Sequence, residues 1–332
     1  MAGLGHNVSG MEVRPVRLSD ASDIHQLTRR WESFWNAPLV TPLHEVEEEL
    51  TAPYVDLDAH TLGYWDGAKM VAYGRIWYRP SGVILERAYL QGMVDPEYRG
   101  RGIGRELFGW QVERGRSILE RIEAPIPRYL RADEWDWIEE AHRMYLRFGL
   151  ETVRYFTEMV KPLVASETVE LVDGVEIIPY ERAYDEQALS ALNRSFADHW
   201  GSTPTDMASF RHRLEGEGVA IDISCLAIAG DEVIGLSLNA NYPEDEELLG
   251  RRDGWVESLG VLRPWRRKGV ATALLKTSFN AFIDARYTHA ALGVDTESPT
   301  DALKLYTGLG FKPTHRSITS EMEIPVIDRH GR

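Results

Sequence analysis

The apolar and polar positions of the chain alternate between the period of a strand and the period of a helix, and they do so twice in the same order. The first half predicts a strand at 11–20, a helix at 20–35, two strands within 60–78, a strand at 82–94, a helix at 104–119, a strand at 128–133, a helix at 135–150 and a strand at 151–160. The second half predicts a strand at 174–181, a helix at 183–200, two strands within 224–242, a strand at 255–262, a helix at 271–285, a strand at 289–296, a helix at 298–310 and a strand at 311–324.

Turn signals support this duplication. Asp66-Gly67 and Gly230-Asp231 each stand between two β-rich runs, where such dipeptides favour a hairpin. The fold class is therefore α/β (α+β), with two tandem domains, each a mixed, mostly antiparallel twisted sheet flanked by helices. We expect the domains at 11–163 and 175–332 and a linker at 164–174, which gives each domain an ordinary size.

Composition narrows the class of protein. The chain has 332 residues, of which 43% are hydrophobic and 27% charged, as in globular proteins. Its formal net charge of −15 disfavours nucleic acid as a partner, and no apolar run is long enough to cross a membrane. The N-terminus lacks the features of a secretory signal, and the one cysteine, Cys225, sits in an apolar strand-like run. We expect a cytoplasmic protein without disulfides and without a metal.

Two basic loops stand out against the acidic background. Each follows a predicted strand and leads into a predicted helix: Arg99-Gly100-Arg101-Gly102-Ile103-Gly104 in the first copy, Arg266-Arg267-Lys268-Gly269-Val270-Ala271 in the second. Small residues allow backbone N–H groups to approach a ligand, and the helix N-terminus and the arginines favour an anion. The loops therefore predict pyrophosphate binding. The spacing fits neither a P-loop nor a Rossmann dinucleotide site.

The pattern resembles the acyl-CoA-binding core of the GNAT acetyltransferase superfamily. It consists of a strand, V-x-x-x-x-[RQ]-x-x-G-x-[GA], a helix, a strand, and a helix ending in Tyr-x-x-x-Gly-Phe. The matching residues are Arg266, Gly269, Ala271, Tyr306, Gly310 and Phe311 in the second half, and Arg99, Gly102, Gly104, Tyr145 and Gly149 in the first, where Leu150 replaces the aromatic residue. The resemblance covers nearly the whole chain as two copies and implies acetyl-CoA as cofactor.

The resemblance also implies which residues hold that cofactor. In the family, the strand before the loop is splayed from its neighbour, so that the backbone at Leu259, Gly260 and Val261 would bind pantetheine and polarise the thioester carbonyl. The two loops, Val94 before the first of them, and Ser298, which stands where many relatives have asparagine, complete the expected set. The helix at Ser298 is also expected to begin there, with Ser298 as its N-cap.

The second copy is expected to be catalytic. Glu257 lies four residues before Val261, where amine-acetylating relatives carry a glutamate that accepts the proton of the amine. Leu90 occupies the corresponding position in the first copy and cannot do so. By resemblance, Tyr306 is the general acid for the departing thiolate. The first copy is expected to bind acetyl-CoA without turnover.

Asp198, His199 and Trp200 follow the first helix of the second copy, which in the family lines the acceptor groove. They could bind an amine by charge and cation–π contact, and His199 could be a second base; a capped helix end with a tryptophan beneath the loop remains an equal alternative. We expect an N-acetyltransferase that acts on the primary amine of a small molecule or peptide by direct attack. A non-catalytic acyl-CoA sensor or scaffold is the alternative, and the oligomeric state is open.

Overall fold

The computed structural model describes residues 10–170, 172–297 and 302–326 and divides the chain into two compact units. Unit 1 comprises residues 1–153 and 319–332, and unit 2 comprises residues 154–318. Ser298 and the expected start of the last helix lie outside the described residues.

The first half of the chain forms the elements that its hydrophobic pattern predicts. The strands are β1 (Glu12–Arg14), β2 (Thr61–Asp66), β3 (Lys69–Tyr78), β4 (Glu86–Val94), β5 (Arg128–Trp135) and β6 (Glu151–Pro162). The helices are α1 (Ala21–Trp35), α2 (Leu43–Thr51), α3 (Leu57–His60), α4 (Ile103–Glu120) and α5 (Glu139–Arg147), and α2 and α3 were not predicted.

The second half repeats the series. Its strands are β7 (Glu176–Pro179), β8 (Cys225–Ala229), β9 (Glu232–Asn241), β10 (Asp253–Val261), β11 (His289–Asp295) and β12 (Lys312–Glu323). Its helices are α6 (Asp185–Ser195), α7 (Met207–Glu215), α8 (Asp245–Leu249), α9 (Val270–Asp284) and α10 (Ala302–Gly308). Both predicted hairpins form, β2–β3 and β8–β9.

Each unit contains one twisted sheet of mixed direction. In unit 1 the strand order is β1-β2-β3-β4-β5, followed by the end of β12; in unit 2 it is the first part of β12, then β6-β11-β10-β9-β8-β7. The β4–β5 and β10–β11 pairs are parallel, whereas β1–β2, β2–β3, β3–β4, β9–β10, β8–β9, β7–β8 and β6–β11 are antiparallel. The expected fold class is confirmed.

The expected domain boundary at residue 163 assigns two strands, β6 and β12, to other units than the structure does. Residues 156–162 of β6 pair with β11 inside unit 2. Residues 319–323 of β12 belong to unit 1, where Ile324 N–H donates to the Arg128 carbonyl at 2.8 Å. The sequence did not reveal this exchange, because an alternating pattern shows which face of a strand is buried and not which sheet edge the strand completes.

Separate apolar cores lie beneath the helices of each unit. In unit 1, α4 packs on β3 and β4, and Leu107, Phe108 and Leu119 are buried there. In unit 2, α9 occupies the same place on β9 and β10 and buries Leu274, Leu275 and Phe279. Each core fixes the strand and the helix on either side of a basic loop, and it is the loops that carry the predicted chemistry.

Candidate active site

The first basic loop has the backbone of an anion cradle. Gly100 and Gly102 take positive φ angles of 76° and 87°, and α4 begins directly after Gly102. A Cβ atom on either glycine would meet nothing within 4 Å, so this face of the loop is open to a ligand. The first N–H groups of a helix lack intrahelical acceptors, so the start of α4 directly after Gly102 is suited to an anion.

The second loop repeats this backbone with two differences. Arg267 replaces Gly100 and takes the same left-handed conformation at a φ of 59°, and Gly269, at 92°, precedes α9 as Gly102 precedes α4. The first difference is the side chain of Arg267 itself. The second is that Val172 of the linker lies 3.6 Å from the Cβ position of Gly269. The remaining loop residues are placed around this turn: Lys268 lies over the Trp265 ring, Val270 is buried, and Ala271 packs on the apolar core.

Both parallel pairs separate where the resemblance places the cofactor. The β10–β11 ladder ends at Val256 and Leu292, although β10 continues to Val261. The β4–β5 ladder likewise ends at Tyr89 and Arg131, although β4 continues to Val94. The backbone of Leu259, Gly260 and Val261 therefore lies beyond the paired region, with its other edge hydrogen-bonded to β9.

Glu257 sits at an irregularity of β10. In the β9–β10 pairing, Asn239 lies opposite Val256 and Leu238 opposite Ser258, so Glu257 is the extra residue of a β-bulge. Its Oε1 accepts a hydrogen bond from the Tyr242 hydroxyl at 2.9 Å, and its Oε2 lies 3.6 Å from Arg213 Nη2. The side chain is 29% exposed, so it can be reached from solvent. Leu90, by contrast, lies in the regular β3–β4 pairing opposite Ile76.

Tyr306 lies on α10, in the apolar core of unit 2. Its ring centroid is 5.9 Å from that of Phe311, and burial raises the pKa of its phenol to about 12. The phenol therefore stays protonated at neutral pH. That is the state in which it can donate a proton.

The residues expected to line the acceptor groove have defined partners. Both oxygens of the Asp198 carboxylate accept hydrogen bonds from Arg266, and Arg263 adds a third at 3.0 Å. These arginines hold the pKa of Asp198 well below its usual range. His199 packs on Phe196, with ring centroids 5.6 Å apart, and the Trp200 ring lies beneath the Arg154 guanidinium. Asp198 thus contacts the second basic loop.

A cavity of about 510 Å³ opens beside the first loop, a volume typical of ligand pockets. The loop, α4, α5 and the open end of β4 form its wall, and Arg99 enters it stacked over the rings of Phe34 and Trp35 and paired with Glu140. Predicted residues that line it are Val94, Arg99, Gly100, Gly102, Ile103, Gly104 and Tyr145. Arg101 instead lies over the Tyr98 ring, with its Nη2 bonded to the Glu97 carbonyl.

The same cavity contains a carboxylate that the sequence analysis missed. Glu134, near the end of β5, lines the wall beside Tyr145. Its Oε1 accepts the Trp135 N–H at 2.9 Å, and burial raises its pKa to about 7. A sequence signal existed: Arg128, Leu130 and Ala132 are the buried positions of β5, and Glu134 continues that alternation.

Cys225 is remote from this chemistry. It is buried on β8, where its Sγ lies 3.7 Å from the Leu274 carbonyl, and burial raises the pKa of its thiol to about 12. Within residues 10–170, 172–297 and 302–326, no cluster of side chains suits a metal ion, and no helix is long and apolar enough to span a membrane.

The fold and the paired cradles define an acyl-CoA-dependent acyltransferase, and the comparisons with known proteins narrow this class. The chain belongs to the acetyltransferase (GNAT) family, whose sequence profile matches residues 24–150 and 186–311. It is therefore an N-acetyltransferase that uses acetyl-CoA, in tandem form, as the resemblance implied.

Individual relatives share about a quarter of their residues with this chain or fewer. Mycothiol acetyltransferase of Thermobispora bispora is 27% identical over 221 residues, covering 66% of this chain and 70% of the relative. The Frankia casuarinae enzyme of the same name is 26% identical over 268 residues, covering 74% of each. A GCN5-related N-acetyltransferase structure from Sphaerobacter thermophilus superposes with a TM-score of 0.74 at 24% identity, covering 98% of this chain and all of the other. A tandem GNAT protein of the clavulanic acid biosynthesis pathway gives 0.69 at 16%, covering 96% and 100%.

Proposed function

We propose that the chain transfers the acetyl group of acetyl-CoA to the primary amine of a small molecule or peptide, by direct attack in a ternary complex. Unit 2 carries this reaction, with Glu257 as the base and Tyr306 as the acid. The observation that supports it most is the position of Glu257: it is the bulged residue directly after the point where the β10–β11 ladder ends.

The bulged position of Glu257 supports its proposed role as the base. An amine is mostly protonated at neutral pH, so a nearby base is needed before its lone pair can attack a carbonyl. Tyr242 and Arg213 hold the Glu257 carboxylate from one side while part of the side chain stays open to solvent. A carboxylate held in this way accepts the proton directly or through one water molecule.

The residues present fit the acyl donor. Acetyl-CoA, when bound, supplies the activated acetyl thioester. The helix N-terminus after Gly269, together with Arg267 and Lys268, suits its diphosphate. Backbone N–H groups of β10 beyond Val256, where the pairing with β11 has ended, would donate to the thioester oxygen. Tyr306, protonated at neutral pH, would return a proton to the thiolate.

The names of the relatives are not used to assign an acceptor to this chain. Those named mycothiol acetyltransferase share 24–28% identity with this chain, which supports the family and the reaction type. We therefore propose only the chemical class of the acceptor, a primary amine. His199 and Trp200 remain its proposed contacts, with Asp198 acting through Arg266.

Release of free thiol from acetyl-CoA, followed with a panel of amines, tests the proposal. Replacing Glu257 with Gln or Tyr306 with Phe should lower kcat/KM by about 100-fold or more, because each removes a proton-transfer group, while CoA affinity changes little. Glu232→Gln, an exposed carboxylate on β9, is the matched control and should leave the rate unchanged. Absence of amine-dependent release from the wild-type protein would favour the sensor or scaffold instead.

A further inference from the structure

The parallel strand pairs β4–β5 and β10–β11 can be compared position by position, and their acidic residues lie at different positions. The last ladder pair is Tyr89–Arg131 in unit 1 and Val256–Leu292 in unit 2. One residue further along the first strand of each pair, unit 1 has Leu90 and unit 2 has Glu257. Three residues further along the second strand, unit 1 has Glu134 and unit 2 has Asp295.

Asp295 and Glu134 have opposite surroundings. The Asp295 side chain is completely buried; its Oδ1 accepts the Glu297 N–H at 2.9 Å, and Arg154 Nε lies 3.7 Å from its Oδ2. Glu134 lies in a cavity wall, and the charge that acts on it is that of Asp133, a second carboxylate. The carboxylate at this position thus faces an arginine in unit 2, whereas in unit 1 it lines a cavity.

We propose that unit 1 is a second acetyl-transfer site, in which Glu134 takes the proton of the acceptor amine and Tyr145 gives a proton to the departing thiolate. Both side chains line the same cavity as Arg99, Gly100 and Gly102 of the first loop. This inference goes beyond the proposed function, which places the reaction in unit 2.

The step is balanced. The amine nitrogen forms a bond to the acetyl carbonyl carbon while the carbon–sulfur bond breaks. The proton lost by nitrogen goes to Glu134, and the thiolate receives one from Tyr145. Solvent then returns the two residues to their starting states, so that the products are an amide and CoA.

The protonation states suit these roles. Burial raises the pKa of Glu134 to about 7, so a base of useful strength is present in ionised form near neutral pH. Tyr145, buried and packed at 5.0 Å from the Phe108 ring, has its pKa raised well above the usual value and remains protonated. Other charged or titratable groups of the cavity wall are Tyr98, Arg99, Arg105, Glu140 and Arg147.

The cavity also indicates the acceptor. Trp31 and Trp35 of α1 line it together with Met93 and Met144, so the wall is largely apolar. An amine on an aromatic or aliphatic body would bury that body against these side chains, whereas a short diamine would bury less apolar surface there. We expect 2-phenylethylamine to be accepted in preference to putrescine.

The experiment uses the full-length chain with acetyl-CoA and these two amines. In the Glu257→Gln background, 2-phenylethylamine should still release CoA, and adding Glu134→Gln should lower that release by about 100-fold. The ascending limb of the pH–rate profile near pH 7 should disappear with Glu134. Glu139→Gln, an exposed neighbour on α5, should change neither. Titration with CoA checks that each variant is folded and still binds the cofactor.

The outcomes separate the two proposals. Release that is lost with Glu257→Gln alone and is insensitive to Glu134→Gln overturns the second site and leaves the proposed function standing. Release that depends on Glu134 alone supports the second site and moves the reaction out of unit 2. Absence of release from wild-type protein with every amine overturns both.

Discussion

Arg266 and Asp198 are joined by two hydrogen bonds, from Nη1 to Oδ2 at 2.7 Å and from Nη2 to Oδ1 at 2.9 Å. Arg266 also donates to the carbonyls of Ser195 and Val261, so that its guanidinium is shared among three acceptors. Arg99, at the same place in the first loop, stacks on Phe34 and Trp35 and pairs with Glu140, whose side chain is 56% exposed. The two arginines therefore differ in their partners: Arg266 is held by a carboxylate and two carbonyls, and Arg99 by an exposed carboxylate and two aromatic rings.

Removing the Asp198 charge should therefore strengthen CoA binding in unit 2. Asp198→Asn takes away an anion that competes with the diphosphate for Arg266, and we expect affinity to rise about tenfold, equivalent to about 1.4 kcal/mol. Calorimetry in a Gly102→Glu background isolates the second cradle, and Asp231→Asn, in an exposed hairpin turn, is the control. Weaker binding would show instead that Asp198 holds Arg266 in its binding conformation.

Blocking one cradle at a time should separate the two sites. At Gly102 and Gly269 the backbone is left-handed, so any side chain is strained, and a glutamate there also places a negative charge at a helix N-terminus. Each Gly→Glu variant should reduce the number of CoA molecules bound from two to one. The matching Gly→Ala variants carry the strain without the charge and should bind CoA more tightly than the glutamates. Stoichiometry by calorimetry is the measurement; loss of both sites in one variant would contradict independent cradles.

The raised pKa of Glu134 should also appear in stability. Its pKa of about 7 in the folded protein exceeds the value of an unfolded glutamate, so the folded state binds the proton more tightly. Stability from this group is fully present below about pH 4 and is lost as the pH rises through 7. Glu134→Gln should therefore be more stable than wild type at pH 8, with the advantage disappearing at pH 5. Urea unfolding at both pH values measures it, and an equal difference at both would argue against the raised pKa.

The fold could be predicted from local sequence signals, namely periodicity, turn dipeptides and the loop pattern. The basic loops lie between a strand and a helix, as their small residues and arginines predicted, and both hairpin turns lie where a dipeptide signal stood. These features depend on a few adjacent residues. The order of the elements followed from periodicity for the same reason, except for short helices such as α3.

Contacts between residues far apart in the chain could not be predicted from the sequence. The contact of Asp198 with Arg266 joins the end of α6 to the loop after β10, and no local pattern indicates which cation a carboxylate will find. Glu134 was missed because the base was sought only on β4, by analogy with Glu257. The exchange of β6 and β12 was not predicted, because the alternation within a strand does not show which sheet edge the strand completes.

The end of β12 is fastened into unit 1 by a buried ion pair. Arg87 Nε lies 2.8 Å from Glu321 Oε1, and the two side chains are only 4% and 7% exposed. On the same strand, Thr319 accepts a hydrogen bond from Arg131 at 3.0 Å. Unit 1 thus depends on residues that the chain reaches only at its C-terminal end.

Glu321→Gln should destabilise unit 1 by about 3–5 kcal/mol, because it leaves the Arg87 guanidinium buried without a counter-charge. The double variant Arg87→Met/Glu321→Leu removes both charges and should recover most of that loss. Glu323→Gln, exposed two residues further along β12, is the control and should change stability little. Denaturant unfolding followed by tryptophan fluorescence is the measurement. If Glu321→Gln unfolds like wild type, the ion pair with Arg87 does not stabilise unit 1, and the other contacts of this strand, such as the Ile324–Arg128 hydrogen bond, hold it in place.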